Sequence, residues 1–468
     1  MRRLLFFLLL GILGTVQAKP QNEVSADSSA KAAGSAVADT LQDGLVAPAD
    51  SVPVDSLSAD TLSWTWDPSL FEVADTIVYT GFPRVSLLTC SAAPEVWQQY
   101  GHTALRYEDP SESIDVVFNY GLFSFGEPHF IWRFCTGQTD YIVGAEEYAS
   151  FESEYLERGS SISIQMLNMT PSEVARFWSL ITENCRPANR VYRYNFLYKN
   201  CSTMARDIVL QSLSDELVPP ADDSLTFRQI LHEFNGSYPW SSFGIDLLLG
   251  YEVDRPVDNA SEEFAPAYLM RHWAQSQRNI VSYSFPSDSL QRESTLQPWV
   301  KAQATLSPVN PLKKPFRFPL SPLQMMILVL LLTAVICTLE LLTEHVHWWY
   351  DFLLYGMQGV AGIVITFLFF FSSHPAVDTN MLVILFNPLI LILLPLMVTR
   401  TVKRRKTYTV CLIELGLIVA LVAAVFITKQ AVPLALWVFV GALLFRTVHH
   451  IILRNYLYDR FLKKKLKA

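Results

Sequence analysis

Residues 192–211 read Tyr192-Arg-Tyr-Asn195-Phe-Leu-Tyr-Lys-Asn200-Cys201-Ser202-Thr-Met-Ala-Arg206-Asp207-Ile-Val-Leu-Gln211. From Cys201 onward the apolar positions recur at helical spacing, so a helix follows Asn200 and a cysteine stands at its start. The preceding chain alternates instead, as strands do, in Val85–Cys90, Thr103–Tyr107, Ile114–Asn119 and Ser161–Met166. Pro94–Tyr100 reads as a short helix. Thr170-Pro-Ser-Glu173 opens a longer one, with a capping residue, a proline at the first position and a glutamate three residues on. Together these make an α+β domain over about residues 67–305, long enough for a sizeable core.

A second short stretch bears on the chemistry of the first. Tyr100-Gly101-His102-Thr103-Ala104-Leu105-Arg106 places a histidine at the entry to a strand. The start of a helix favours a thiolate through its partial positive charge and free N–H groups. A nearby imidazole would take the thiol proton, and the first N–H groups of the helix would hold the oxyanion formed on an attacked acyl carbonyl. Structural readings compete with this one. A lone cysteine is most often a small buried hydrophobe, and a lone histidine is more often structural than catalytic. Cys90, Cys135, Cys185 and Cys201 would pair into two disulfides in an oxidising compartment, and Cys90 is a rival nucleophile. Cys337 and Cys411 read as packing residues. His102, His129, His232 and His272 are scattered without metal-ligand spacing, and there is no Gly-rich phosphate loop or G-x-S-x-G elbow. Thiol chemistry is the best-supported enzymatic reading, and it requires no cofactor.

Downstream lie five apolar stretches, at about 322–343, 352–372, 380–398, 407–428 and 431–453. Each is near the roughly 20 residues that cross a bilayer, so a five-helix membrane domain over 320–455 is expected. Asn387-Pro388 and Pro395 are expected to kink the third. Glu340 and Glu414 fall within or near the ends of spans, where a carboxyl group is expensive. For Glu340, close to a span end, snorkelling to the interface is the favoured reading.

Upstream, residues 1–18 have the basic start, short apolar core and small-residue end of a signal peptide. Residues 19–66, rich in Ala, Ser, Val and Asp, read as a disordered acidic linker. Export of the linker and the α+β domain puts the first span outward-to-inward. The basic run Arg400–Lys406 and the basic tail 456–468 then both face the cytoplasm, as the positive-inside rule asks. Lys313, Lys314 and Arg317, on the outer side, weakly oppose this. Of the 468 residues 51% are hydrophobic and 17% charged, which excludes a disordered or fibrous protein. The formal net charge of −8 splits into −15 before residue 320 and +7 from there on, so the water-facing part is acidic and nucleic acid is not expected as a partner.

The runs Leu87–Ser91, Tyr100–Arg106, Phe118-Asn119-Tyr120-Gly121, Asn189–Phe196 and Asn200–Asp207, with Phe243–Gly250 and the multi-span tail, resemble the Lnb-type family of lipoprotein N-acyltransferases. The His-first, Asn-Cys-later order also resembles circularly permuted papain-like (NlpC/P60) proteins and lecithin:retinol acyltransferase. The resemblance implies an exported permuted papain-like domain before the spans, with Cys201 as nucleophile and His102 as base. Asn119 or Tyr120 would orient the imidazole. Arg106, Arg190, Arg193 and Arg206, with Asn200 alongside, would contact substrate, the arginines through a lipid phosphate; an ion pair within the domain is the competing role for each.

It further implies a protein of the bacterial inner membrane, with its catalytic domain in the periplasm. A membrane phospholipid would give an acyl chain to Cys201, and the N-terminal amine of a diacylated lipoprotein would accept it from the thioester. A papain-like hydrolase of cell-wall peptides and a non-catalytic membrane scaffold are the alternatives.

Overall fold

A computed structural model describes residues 82–93, 95, 98–123, 128–222, 224–284, 291–310, 318–343, 345–398 and 404–467. The expected signal peptide, the acidic linker, Lys313, Lys314, Arg317, residues 400–403 and Pro94, Val96 and Trp97 of the expected short helix lie outside them. The chain divides into two compact units. One runs up to Leu225 and resumes over Pro256–Phe316; the other joins Thr226–Arg255 to Arg317–Ala468.

The first unit is built on a seven-stranded antiparallel sheet. Its strands are β1 (Arg84–Cys90), β2 (His102–Asp109), β3 (Ile114–Leu122), β4 (Asp140–Glu147), β5 (Ile162–Leu167), β6 (Val191–Arg193) and β10 (Val300–Leu306), in the order β10-β5-β1-β2-β3-β4-β6. A smaller sheet joins β7 (Leu217–Val218), β8 (Gln277–Ser284) and β9 (Gln291–Pro298). The helices are α1 (Phe130–Cys135), α2 (Tyr148–Glu157), α3 (Pro171–Cys185), α4 (Cys201–Ser212) and α5 (Pro266–Gln275), with a single turn at Asn259–Glu262.

Strand alternation divides the core. Leu87, Leu105, Phe118 and Tyr120 pack with α3, α4 and α5 through Phe177, Ile181, Ala205, Ile208, Val209, Leu269 and Trp273. Leu88, Cys90, Ala104 and Val117 point the other way and meet Tyr148, Phe151 and Tyr155 of α2. The start of α3 is fixed as its sequence indicated. Thr170 and Glu173 form a reciprocal capping box, and the buried Glu173 carboxylate also accepts both terminal nitrogens of Arg278 at 2.8 Å.

The second unit holds four helices long and apolar enough to cross a membrane: α6 (Pro322–Thr343), α7 (Trp348–Phe371), and the spans Thr409–Thr428 and Leu434–Ile452 within α9 (Arg404–Thr428) and α10 (Leu434–Lys467). The third expected span differs. A 3₁₀ turn at Met381–Ile384 gives way at Asn387-Pro388, and the helix restarts as α8 (Leu389–Val398), leaving the apolar segment Met381–Leu396 shorter than the other four. Pro388 has no N–H to continue a helix, and the Asn387 side chain caps the restart by accepting from Leu389 N–H at 3.0 Å.

Residues 226–255, expected in the exported domain, cluster instead with the spans. Phe243 and Leu247 enter the span core, Asn380 Nδ2 donates to the Leu247 carbonyl at 2.9 Å, and Gly250 N–H donates to the Ala376 carbonyl at 2.7 Å. Apolar side chains in the helix Pro239–Leu248 explain the difference, since they gain more by packing on the spans than by facing water.

Glu340 does not snorkel. It is fully buried within this unit and accepts both terminal nitrogens of Arg446 at 2.8 Å, with His449 Nε2 at 2.9 Å. Arg446 Nε donates to Asp351 Oδ1 at 2.6 Å, and His450 Nε2 lies 2.9 Å from the same oxygen. Three helices thus meet in one ionic cluster that a residue-by-residue reading of α6 did not foresee. Glu414 is buried as well, accepting from Gln358 Nε2 at 2.8 Å.

Candidate active site

The N-terminus of α4 is built by Asn200. Its side-chain oxygen accepts the N–H groups of Ser202 (2.9 Å) and Thr203 (3.0 Å), while Thr203 Oγ1 accepts the Asn200 N–H at 2.9 Å. Asn200 Nδ2 donates to the carbonyls of Phe196 and Phe264, both at 2.8 Å. Every polar group of this buried side chain is therefore engaged in holding Cys201 at the first position of the helix. Asn200 is a cap, not the substrate contact expected of it.

The thiol of Cys201 accepts backbone N–H groups, that of Thr103 foremost, so the helix tip abuts the first peptide of β2. His102 begins that strand. Gly101 fixes the entry of β2 against β1: its φ of +78° is left-handed, and a Cβ there would stand 2.6 Å from the Cys90 carbonyl oxygen. The sulfur and the imidazole flank the His102–Thr103 peptide, and among the described residues no hydrogen bond joins them directly.

The imidazole is held from behind. His102 Nε2 lies 2.5 Å from Asn119 Oδ1, and Asn119 Nδ2 donates to Glu146 Oε1 at 3.3 Å. An ionised carboxylate only accepts, so Glu146 takes the amide N–H and turns the amide oxygen toward the ring. That oxygen requires an N–H on Nε2, which leaves Nδ1 as the unprotonated, basic nitrogen. Tyr155 of α2 lies parallel to the ring at a centroid distance of 5.9 Å. Glu146 and Tyr155 escaped the sequence reading, because the strand and helix that carry them have no distinctive motif.

Tyr120, the other candidate orienter, points to the opposite face of β3. Its hydroxyl accepts from Asn184 Nδ2 at 2.9 Å in the main core, so Asn119 alone meets the imidazole.

Burial dominates the electrostatics. It pushes the Cys201 thiol up to about 11 against the lowering effect of the N–H groups, and it pushes His102 down to about 4 against the raising effect of Asn119. Thiol and imidazole are both neutral at pH 7, whereas the helix terminus alone suggested a thiolate. An arrangement of this kind moves the proton as the sulfur attacks, by general-base catalysis.

All six cysteines are free. Cys90 is deeply buried opposite His102 in the β1–β2 register and its thiol is pushed far up by burial, which suits packing and not attack. Cys185 is pushed up to about 12 by burial.

The arginines expected to bind phosphate are mostly spent within the domain. Arg106 makes a two-point contact with Asp115 at 2.7 Å and lies over the Tyr148 ring, Arg193 donates to Asp140 at 2.6 Å, and Arg206 bonds Asp207 at 2.8 Å and also meets the Ala260 carbonyl. Arg190 stands apart from these pairs, near the thiol of Cys185.

Residues 82–232 match the family model described as Lnb N-terminal periplasmic domain, and residues 313–456 match that described as Lnb transmembrane domain. No curated protein and no solved structure matches the chain.

Proposed function

The chain is an Lnb-type membrane protein with a periplasmic N-terminal domain, and from that premise we propose that it is a lipoprotein N-acyltransferase working through a Cys201 thioester. The observations that carry the reading are the relay Glu146–Asn119–His102 and a free cysteine on a helix N-terminus whose thiol meets the N–H of Thr103, the residue after His102. Nothing in packing alone calls for a buried polar chain of this kind at the start of β2.

In the first half-reaction the Cys201 sulfur attacks the ester carbonyl of a phospholipid while His102 Nδ1 takes the thiol proton. Collapse breaks the ester C–O bond, His102 returns the proton to the glycerol oxygen, and a lysophospholipid leaves. In the second half-reaction the α-amino group of a diacylglyceryl-cysteine attacks the thioester. His102 takes the amine proton and gives it to the departing thiolate. Asn119 keeps the ring in one tautomer through both halves. A permuted papain-like fold, five crossings with α8 as the short one, and a cytoplasmic C-terminus complete the proposal. Five crossings put the basic residues 400–406 and the tail on the cytoplasmic side. Membrane anchoring of an enzyme whose two substrates are both lipid-bound raises their effective concentration.

The test is mass spectrometry of lipoprotein N-terminal peptides from cells carrying the wild-type gene or Cys201→Ala. N-acylated peptides are expected with the first and absent with the second, with equal amounts of protein in the membrane. Full N-acylation in the Cys201→Ala cells overturns the reading.

A further inference from the structure

The tetrahedral intermediate of either half-reaction places a negative charge on the former carbonyl oxygen, and an acyl-transfer site needs donors aimed there. The helix start does not supply them all. The N–H groups of Ser202 and Thr203 are already bonded to the Asn200 side chain at 2.9 and 3.0 Å. The Cys201 N–H, which also faces its own thiol, remains as the helical donor, and a further donor would strengthen the hold on the oxyanion.

We propose that the phenol of Tyr192 is the second oxyanion donor; the inference rests on the reading of Cys201 as the nucleophile. Tyr192 lies in β6 and is 8% exposed, and its hydroxyl is fully buried and finds no acceptor for its proton among the described residues. A buried hydroxyl that donates to nothing is rare and costs stability, so its retention points to a ligand group that accepts from it. The backbone N–H of Gly121 faces the phenol oxygen, while the phenol proton itself stays unspent.

Gly121 also defines the space. Its φ of +96° is left-handed, and a methyl built there would lie 3.7 Å from Cys201 Cβ and 4.0 Å from the Tyr192 hydroxyl. The Cβ of the nucleophile residue and the phenol oxygen of Tyr192 therefore both border the space above Gly121. Burial, reinforced by the nearby Cys201 thiol and by Tyr120 and Tyr141, holds the phenol well above its usual range, so it is a donor across the physiological pH span.

In the proposed step the sulfur bonds to the carbonyl carbon, the C=O π pair moves onto oxygen, and the thiol proton passes to His102. The Tyr192 O–H shares its proton with the oxyanion without transferring it. The hydrogen bond is released when the C=O re-forms and the leaving group departs.

The experiment uses the full chain in lipid nanodiscs, with phosphatidylethanolamine as donor and a synthetic diacylated lipopeptide as acceptor. Tyr192→Phe keeps the ring and removes the oxygen. Expected is a fall in kcat on the order of 10²- to 10³-fold, the cost of losing one oxyanion donor, with KM nearly unchanged. Alkylation of Cys201 by iodoacetamide has no carbonyl oxyanion, so its rate is expected to stay at the wild-type value. A kcat within about threefold of wild type overturns the proposal; so does a parallel loss of alkylation, which would mark Tyr192 as a residue that merely positions the thiol. If Cys201→Ala retains activity in the same assay, it is the nucleophile assignment that fails, and that result is separate from either outcome for Tyr192.

Discussion

His102 Nε2 and Asn119 Oδ1 lie 2.5 Å apart across neighbouring antiparallel strands, on the sheet face that meets α2. The contact fixes which imidazole nitrogen is basic, and it depends on Glu146 holding the amide from the other end. Removing the link should therefore cost rate and leave the thiol in place. Asn119→Ala is expected to lower kcat for N-acylation on the order of 10²-fold, within the range of a misdirected general base. The protein should remain in the membrane, and donor KM should change little. Single-turnover acylation of Cys201 with a phospholipid donor measures the effect, and a rate equal to wild type would remove Asn119 from the mechanism.

The pH dependence follows from burial. His102 must be neutral to act as base, and its folded-state value is pushed down to about 4, so the base form is present at all higher pH and is lost as pH falls through that value. The thiol stays protonated until about 11. The profile of kcat/KM for the phospholipid donor is thus expected to be flat from about pH 5 to 9. Alkylation of Cys201 by iodoacetamide should be slow at pH 7 and rise about tenfold per pH unit above it. An inflection in kcat/KM near the ordinary histidine value would contradict the neutral pair.

Asn200 makes its case through stability as well as activity. Asn200→Ala removes a helix cap, a loss of about 1 kcal/mol, and it strips the carbonyls of Phe196 and Phe264 of their buried donor. A lowered unfolding temperature with a matching drop in acylation is expected. Substitution by serine, which still caps but cannot reach both carbonyls, should fall between.

The intramembrane cluster yields a sharper contrast. Arg446→Met alone leaves Glu340 and Asp351 buried with only the His449 and His450 side chains beside them, and breaking such a pair costs about 3–5 kcal/mol. Arg446→Met combined with Glu340→Leu and Asp351→Leu removes the charges together and is expected to recover most of the loss. Thermal unfolding of the detergent-purified variants, followed by light scattering, would separate the two. Equal damage in both would show that packing, not charge, governs the site.

Much of this protein was legible from residue patterns, and the exceptions have physical reasons. The alternation in Val85–Cys90 and Ile114–Asn119 matches β1 (Arg84–Cys90) and β3 (Ile114–Leu122), and the caps at Thr170 and Asn200 mark true helix starts. His102 meets Asn119, and the Cys201 thiol meets the N–H of Thr103. Glu146 and Tyr192 carried no signal, because one is an acid in a strand of mixed character and the other a tyrosine among several. Their roles depend on which atoms face them across the sheet. The partners of Glu340 were hidden for a related reason: Arg446 and His449 lie more than a hundred residues downstream, and no local period links them.

The order in which those partners are synthesised has a consequence for how the protein is made. The ribosome delivers the acids on α6 and α7 to the bilayer long before it delivers the arginine on α10. Until the final helix arrives, two carboxyl groups sit in oil with no counter-ion, and the half-made bundle is poorly suited to leave the insertion machinery. A chain cut short ahead of Arg446 would lack the cation that both acids meet in the finished bundle.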